Sequence, residues 1–474
     1  VVSDLIISVS GLRGKVGSAL TPTLATEYAT AFGTWLGGGK VIVGRDSRPS
    51  GAMLTGAVMA GLASAGCDPI DIGLAATPTT GLLVRHLGAA GGVEITASHN
   101  PAEWNGFKLF HREGRVLNGK EAAEVKDIFD SKKFRVCRWN AVGKPSRQGD
   151  PHAAHLTRVL AAVDAEAIRR RVYHVVLDSN HGVGGLLASR LLGSLGCRVT
   201  TLGGSPDGNF EHPPEPVPEN LAAVSRAVRE YNAQIGFAQD PDADRLAIID
   251  ETGRPIGEEY TITLAAAHVL SKTPGAVVVN LSTTRAVEEA AALRHSRCER
   301  SAVGEANVVE IMQRRRAVIG GEGNGGVILP QVVYVRDSFA AMALVLEAMA
   351  VQDASISQLV RRLPQYFMVK DKLAIEPKKL AGAMRKLASK AKGAKANQTD
   401  GLRLDWPDRW LHVRPSNTEP IARIIVEAKS EAEASELLEF SRTALGVKAP
   451  KSKPSRAAKR PTKTATRSAR SKRR

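Results

Sequence analysis

The stretch Thr96-Ala97-Ser98-His99-Asn100-Pro101 sets a hydroxyl, an imidazole and an amide side by side, just after a short apolar run (Val93, Ile95), and closes on proline. As packing alone it is an Asx-type turn with incidental polarity. As chemistry it is an exposed serine able to carry a phosphoryl group, with His99 and Asn100 in support and Pro101 restricting the chain. A second stretch, Asp240-Pro241-Asp242-Ala243-Asp244-Arg245, places three carboxylates at alternate positions between two strand-like runs. Carboxylates so spaced form a solvated acidic turn or converge on a hard divalent cation, and the apolar strands that buttress them favour the cation, Mg²⁺. The D-x-D-x-D spacing also opens a helix-flanked calcium loop, and Glu251 falls at that loop's twelfth position. Arg245, however, stands where such a loop needs glycine, and the flanks here are strands.

Two further stretches offer recognition. Gly320-Gly321-Glu322-Gly323-Asn324-Gly325-Gly326 holds five glycines in seven residues. Glycine lets backbone approach a ligand closely, while Glu322 and Asn324 supply an acceptor and a mixed donor/acceptor suited to adjacent sugar hydroxyls. Arg414-Pro415-Ser416-Asn417-Thr418-Glu419-Pro420 combines a guanidinium, hydroxyls, an amide and turn N–H groups into a phosphate cradle, and Arg423 adds a second cation. Each of these two, alone, also reads as a plain turn. Together the four stretches supply a phosphoryl carrier, a cation site, a polyol-sized loop and a phosphate cradle. Moving a phosphoryl group on a sugar needs little more than this, because such transfer relies on positioning and charge neutralisation.

The elements that must position these groups follow a repeating pattern. Residues 40–46 read as a buried strand, 55–66 as a helix with a Gly stop, and PIDIGLA and VEIT as further strands. The pattern restarts at 172–185, a strand followed by a Gly-rich turn and a helix, and again at 276–282, after a helix at 260–272. From 367 the chain changes to short strands (KLAIEP, GLRLDW, WLHVRP, ARIIVEA) with intervening helices. The expected architecture is α/β: three similar α/β domains with mixed, mainly parallel sheets (1–150, 151–253 and 254–366), then a C-terminal α+β domain (367–446) and a basic tail (447–474). Each domain contributes one of the four stretches.

With 474 residues, 43% hydrophobic and 24% charged, the composition is that of a soluble globular protein. No apolar run reaches membrane-spanning length, so no membrane partner is expected. The N-terminal segment lacks the basic start and long apolar stretch of a signal peptide. Four scattered cysteines without metal spacing fit reduced thiols in the cytoplasm. The net charge of +17 is mostly a tail property: residues 448–474 hold twelve Lys/Arg and no acid, which leaves +5 for the rest. The tail has no apolar periodicity and reads as disordered. It serves either solubility or weak, salt-sensitive contact with a nucleic acid or other polyanion.

In this order and at these separations, TASHNP, DPDADR, GGEGNGG and RPSNTEP closely resemble the four motifs of the α-D-phosphohexomutase superfamily, which includes phosphoglucomutase, phosphomannomutase and phosphoglucosamine mutase. SGLRGKVG (10–17), GRDSRPSG (44–51) and PDGNFEHPPEPVPENL (206–221) also look like family segments, so the resemblance covers about residues 5 to 446. It implies four domains around a central cleft, with Ser98 as phosphoserine and His99 supporting its phosphate. Arg13 and Lys108 match the basic residues that contact the phosphoserine and take part in proton transfer, and are the candidates for acid and base. Ser98 with Asp240, Asp242 and Asp244 matches the Mg²⁺ site, and Arg245 follows as in the family. Glu322 and Asn324 match sugar-loop positions, and Arg414, Ser416, Asn417 and Thr418 the phosphate loop. The implied reaction interconverts hexose 6-phosphate and hexose 1-phosphate through a bound hexose 1,6-bisphosphate, which also serves as activator.

One departure concerns the sugar. Many bacterial members carry histidine where this chain has Gly326. GEGNGG, with VGEANV at 303–308, looks more like an archaeal-type branch of phosphoglucosamine or phosphomanno mutases. Asn417 leans toward the phosphomannomutase/phosphoglucomutase pattern, the branch toward glucosamine. Two other classes stay in view: a sugar-phosphate phosphatase, in which water replaces the sugar hydroxyl, and a catalytically silent binding protein, against which the intact Ser98 and aspartates argue.

Overall fold

The computed structural model describes residues 4–8, 11–375, 377–415 and 421–446. Ser416, Asn417, Thr418 and the basic tail lie outside the described residues. Four sheets follow one another along the chain. The first is seven-stranded, built from β1 (Leu5–Ser8), β2 (Gly11–Lys15), β3 (Gly39–Arg45), β4 (Cys67–Leu74), β5 (Gly91–Ile95), β6 (Trp104–His111) and β7 (Ser146–Arg147), in the order β1-β2-β6-β5-β3-β4-β7. The second joins β8 (His174–Asp178), β9 (Arg198–Leu202), β10 (Ile235–Gln239) and β11 (Leu246–Ile249) in the order β11-β10-β8-β9. The third joins β12 (Val277–Asn280), β13 (Cys298–Ser301), β14 (Ile319–Glu322) and β15 (Gly326–Ile328) in the order β13-β12-β14-β15.

These three sheets share one plan. Parallel strands form the body, and an antiparallel partner follows directly: β6 on β5, β11 on β10, β15 on β14. The body strands read as unbroken apolar runs (Val175-Val176-Leu177, Val277-Val278-Val279) because both faces are covered. The turns between parallel strand and antiparallel partner carry Ser98, the three aspartates and Asn324. The fourth sheet is wholly antiparallel, β16 (Phe367–Ala374), β17 (Lys395–Asn397), β18 (Leu402–Asp405), β19 (Trp410–Pro415) and β20 (Ile421–Ala428), in the order β16-β20-β19-β18-β17.

The Gly-rich stretch differs from its expected form. Gly320, Gly321 and Glu322 are not loop but the end of β14, and only 323–325 turn. The glycines serve close packing: a Cβ on Gly321 would lie 2.2 Å from the Gly326 carbonyl oxygen across the hairpin.

The first three sheets share a continuous apolar core that runs from Ile42 to Leu359, whereas the fourth sheet has its own. Through the shared core passes the helix Ser338–Gln352, buried on every side from Ser338 to Ala350. An all-round apolar helix is stable only inside a core. Its one buried acid, Glu347, accepts from Asp164 N–H (2.7 Å), Lys272 Nζ (2.6 Å) and His268 Nε2 (2.6 Å), tying two neighbouring helices to it. Among the described residues no helix is long and apolar enough to cross a membrane.

Burial alone would raise the Glu347 pKa, but its three donors outweigh that and bring it down to about 2. The carboxylate therefore stabilises the fold above its unfolded value near 4.5, and this contribution is lost as pH falls toward 2. Glu347→Gln should cost about 2–4 kcal/mol at pH 7. In denaturant titrations the deficit against wild type should shrink as the pH is lowered from 5 to 3. A deficit that stays constant over that range would remove the charge from the explanation.

Candidate active site

Ser98 was expected to be exposed, but it is not: it is only 1% accessible, wired in place from several sides. Its φ of 51° is left-handed, an unfavourable region for a residue with a Cβ. Thr96 Oγ1 accepts the Ser98 N–H (2.9 Å) and donates to Asp46 Oδ2 (2.6 Å). Asp46 is paired with Arg48, whose Nη2 donates to the carbonyls of Ser98 (2.8 Å) and Asn100. The turn is thus over-determined, which is how a strained residue persists. The side chain points at the metal loop, with Ser98 Oγ donating to Asp240 Oδ2 at 3.2 Å. His99 Nδ1 lies 3.4 Å from Ser98 Oγ, and Arg13 Nη1 donates to Asn100 Oδ1 at 3.2 Å.

The three aspartates are fully buried, with ligand oxygens within 4.8 Å of one another. Asp242 and Asp244 each spend one oxygen on the protein, and Asp240 spends both, its Oδ2 on Ser98 Oγ. Asp240 Oδ1 accepts the N–H groups of Asp244 and Arg245, both at 3.0 Å, closing a turn in which Ala243 also takes a left-handed φ of 56°. Asp242 Oδ2 accepts from Thr77 Oγ1 and Lys108 Nζ, both at 2.6 Å. Asp244 Oδ2 accepts from Lys108 Nζ and Arg336 Nη2, also both at 2.6 Å. Asp242 Oδ1 and Asp244 Oδ1 are buried without a hydrogen-bond partner. Such oxygens are costly to leave unmade, and a hard divalent cation is the partner this donor set fits.

The pKa shifts follow from this geometry. Burial, then the charges of Asp244 and Asp242, push the Asp240 carboxyl well above the carboxylate range. For Asp242, burial is outweighed by Lys108 and Thr77, and for Asp244 by Arg336, Lys108 and Arg245, so both lie below it. Burial opposes charge on Lys108, but Asp242 and Asp244 prevail and raise its pKa. This runs against the expectation of Lys108 as a base: gripped between two carboxylates, its charged ammonium form is favoured. His99 is held well below the ordinary imidazole value by Arg245, burial and Arg13, and stays neutral. Arg245 itself reaches Glu215 Oε1 at 3.3 Å.

The sugar-loop residues take unequal places. Glu322 is 3% accessible and accepts from Asn280 Nδ2 (2.8 Å), Gly304 N–H (3.1 Å) and Arg336 Nη1 (2.6 Å). It is therefore already engaged, because three donors from its own domain converge on it. Asn324 is partly exposed and accepts only the Gly326 N–H in its turn, at 3.2 Å. In the fourth sheet, Arg414 and Arg423 are direct cross-strand partners, and Lys372 continues the row beyond Arg423. Arg414 Nε lies 3.5 Å from Asp400 Oδ2.

The structure thus gathers Ser98, His99, Arg13, Lys108, Asp240, Asp242, Asp244 and Arg245 at one point, with Glu322 joined to them through Arg336. Arg414 and Arg423 form a separate basic row. Sequence inspection missed Arg336, Thr77, the Asp46–Arg48 pair and Lys372. GRDSRPSG held a signal for the pair, two opposite charges two residues apart after a strand. Arg336, Thr77 and Lys372 had none, since only tertiary contact or cross-strand register gives them a role.

Because the Asp240 carboxyl is raised while its neighbours are not, Mg²⁺ binding should release a proton and tighten as pH rises. Calorimetric titration in two buffers of different ionisation enthalpy measures that release. Asp242→Asn should weaken Mg²⁺ binding at least about tenfold and leave the fold intact. Unchanged Mg²⁺ affinity in that variant would end the role of these carboxylates as ligands.

Four family models match in sequence: the phosphoglucomutase/phosphomannomutase alpha/beta/alpha domains I (residues 5–136), II (151–253) and III (257–367), and the C-terminal domain (367–444). The chain is 40% identical over 447 residues to a phosphoglucomutase/phosphomannomutase of Thermococcus kodakarensis, covering 92% of this chain and 96% of the relative. It is 34% identical to a phosphoglucosamine/phosphogalactosamine mutase of Sulfurisphaera tokodaii, covering 91% and 97%. Among solved structures, a phosphoglucomutase/phosphomannomutase family protein of Burkholderia thailandensis superposes with a TM-score of 0.82 at 30% identity, covering 93% and 98%. An Aspergillus fumigatus N-acetylphosphoglucosamine mutase, solved with GlcNAc-6P and magnesium, shares the fold at a TM-score of 0.56 and 17% identity, covering 92% and 95%. Serine loop, acidic triad and four matched domains agree, and the chain belongs to the phosphoglucomutase/phosphomannomutase family, as a phosphohexomutase and hence an isomerase.

Proposed function

We propose that Ser98 is the phosphoryl carrier and that the substrate is a glucosamine phosphate, interconverted between its 6- and 1-phosphates. The observation that carries this reading is the placement of Ser98 Oγ on Asp240 Oδ2, at the edge of a carboxylate cluster faced by Lys108 and Arg336. Phosphoserine 98 donates to the free hydroxyl of a hexose monophosphate: the P–Oγ bond breaks, a P–O bond to the sugar forms, and the hydroxyl loses its proton. The resulting 1,6-bisphosphate turns over in the site. Its other phosphate then returns to Ser98 Oγ, and the isomer leaves. A 1,6-bisphosphate from outside would prime the serine in the same way.

This chain's residues have distinct tasks in the cycle. Asp240, Asp242 and Asp244, with Ser98, would hold Mg²⁺, which supplies neutralisation of phosphoryl charge when bound. Lys108, held protonated, stabilises the same charge and can donate a proton to the departing oxygen. Neutral His99 beside Ser98 Oγ is able to accept one. Arg13 fixes Asn100 and so the serine turn. Arg414 and Arg423, with Ser416, Asn417 and Thr418 between them in sequence, would hold the phosphate that is not reacting. Glu322 and Asn324 would face the sugar.

The preference for glucosamine is supported by relatives such as a probable phosphoglucosamine mutase of Thermococcus kodakarensis, 37% identical over 434 residues. The relative at 40% identity favours a second reading, glucose or mannose phosphate. The test is kcat/KM for glucosamine, mannose and glucose phosphates with Mg²⁺ and a trace of 1,6-bisphosphate. Glucosamine phosphate should lead. Ser98→Ala should lose all three substrates together, by about a thousandfold or more, and peptide mass spectrometry should find phosphate on Ser98 in wild type only. Near wild-type cycling by Ser98→Ala would overturn the carrier. Stoichiometric release of inorganic phosphate by wild type would make the protein a phosphatase.

A further inference from the structure

Arg336 touches both the acidic triad and the Gly-rich hairpin. Its Nη2 donates to Asp244 Oδ2 and its Nη1 to Glu322 Oε2, each at 2.6 Å. Its Nε lies 3.4 Å from Glu305 Oε2, and its backbone N–H donates to Glu305 Oε1 at 2.9 Å. The side chain is 9% accessible. The guanidinium is a rigid plane, so its two terminal nitrogens cannot move independently. A shift of Glu322 therefore moves the donor on Asp244, the residue whose other oxygen is buried without a hydrogen-bond partner.

The chain makes room for this contact at one position. A Cβ on Gly326 would stand 2.3 Å from Arg336 Cδ and 2.9 Å from Cγ. Any side chain there would push the arginine off its path. Gly326 and Arg336 thus form a pair: the hairpin omits a side chain, and the arginine stem runs through the space.

We propose that Arg336 is a positioning residue that couples the metal loop to the sugar loop, so that the pose of Glu322 sets how well the three aspartates hold a divalent cation. This rests on the reading of those aspartates as the Mg²⁺ ligands and of Glu322 as part of the sugar loop. In its light, sugar discrimination does not end at the hydroxyl touched. A ring that displaces Glu322 also displaces Asp244 through Arg336, and the wrong sugar is penalised at the phosphoryl centre. Coupling of this kind is reciprocal, so bound metal equally orders the sugar loop.

The test measures Mg²⁺ binding by calorimetry, without substrate, in a double-mutant cycle. Glu322→Asp keeps the charge and shortens the reach, so it releases one arm of Arg336 without removing a carboxylate. In the Arg336 background it should weaken Mg²⁺ binding several-fold. With Arg336→Met the same substitution should change the affinity less than twofold. Gly326→Ala, which leaves every charged group in place, should lose the coupling as well and covers the case in which Arg336→Met does not fold. Equal effects of Glu322→Asp in both backgrounds, or none in either, would overturn the proposal while leaving the metal site standing. Absence of Mg²⁺ binding in wild type would overturn the metal assignment and the coupling together.

Discussion

Three carboxylates within 4.8 Å of one another, all buried, are the constraint around which this molecule is arranged. Like charges at that separation in a low-dielectric interior repel strongly, and burial of even one unpaired carboxylate is unfavourable. The structure answers with two cations, Lys108 and Arg336, two backbone N–H groups and two hydroxyls, those of Thr77 and Ser98. The two N–H groups belong to the acidic loop itself, but the cations and hydroxyls come from distant segments. Lys108 comes from β6 and Thr77 from the helix after β4, both in the first sheet's domain, whereas Arg336 follows the third sheet. The acidic loop is thereby a point at which groups from the first three domains meet.

The same demand explains why the serine is held rather than free. Ser98 sits in a left-handed backbone conformation against a carboxylate with a raised pKa, and Asp46, Arg48 and Thr96 lock the turn. Phosphoryl transfer gains most from donors and charges that are in place before reaction, because no reorganisation is then needed at the transition state. The central helix Ser338–Gln352 supports this rigidity from behind. It begins at Asp337, the residue next to Arg336, and Asp337 caps its first turn while bonding His155 at 2.9 Å. The fourth domain differs. Its core is separate, and it joins the third through polar contacts such as Ser282 with His412 (2.9 Å) and the Arg285 N–H with Glu427 (3.0 Å).

Much of this was legible from sequence because local signals coincide with local structure. Unbroken Val/Ile/Leu runs marked the buried parallel strands, D-x-D-x-D marked the acidic turn, and the order of four polar stretches marked the family. Other features were hidden. The burial of Ser98 is set by contacts with residues 50 and more positions away. The strand character of Gly320–Glu322 was masked by glycine, which is poor evidence for a strand until the packing that excludes a Cβ is seen. The protonation of Lys108 was unreadable, since a lysine's charge state depends on which carboxylates surround it.

The sequence by itself determined the architecture, the four polar stretches and the class of chemistry, because hydrophobic period and residue type are properties of neighbours along the chain. Only the tertiary structure decided that Ser98, the three aspartates and Asn324 occupy equivalent places, each on a turn between a parallel strand and its antiparallel partner. Only it set Lys108 between two carboxylates and engaged Glu322 with three donors. It also set Arg336 between the acidic loop and the Gly-rich hairpin, bonded to Asp244 and Glu322. These depend on charges brought together from distant segments, and electrostatic partnership in a buried site is a matter of ångströms in space, not of spacing in sequence.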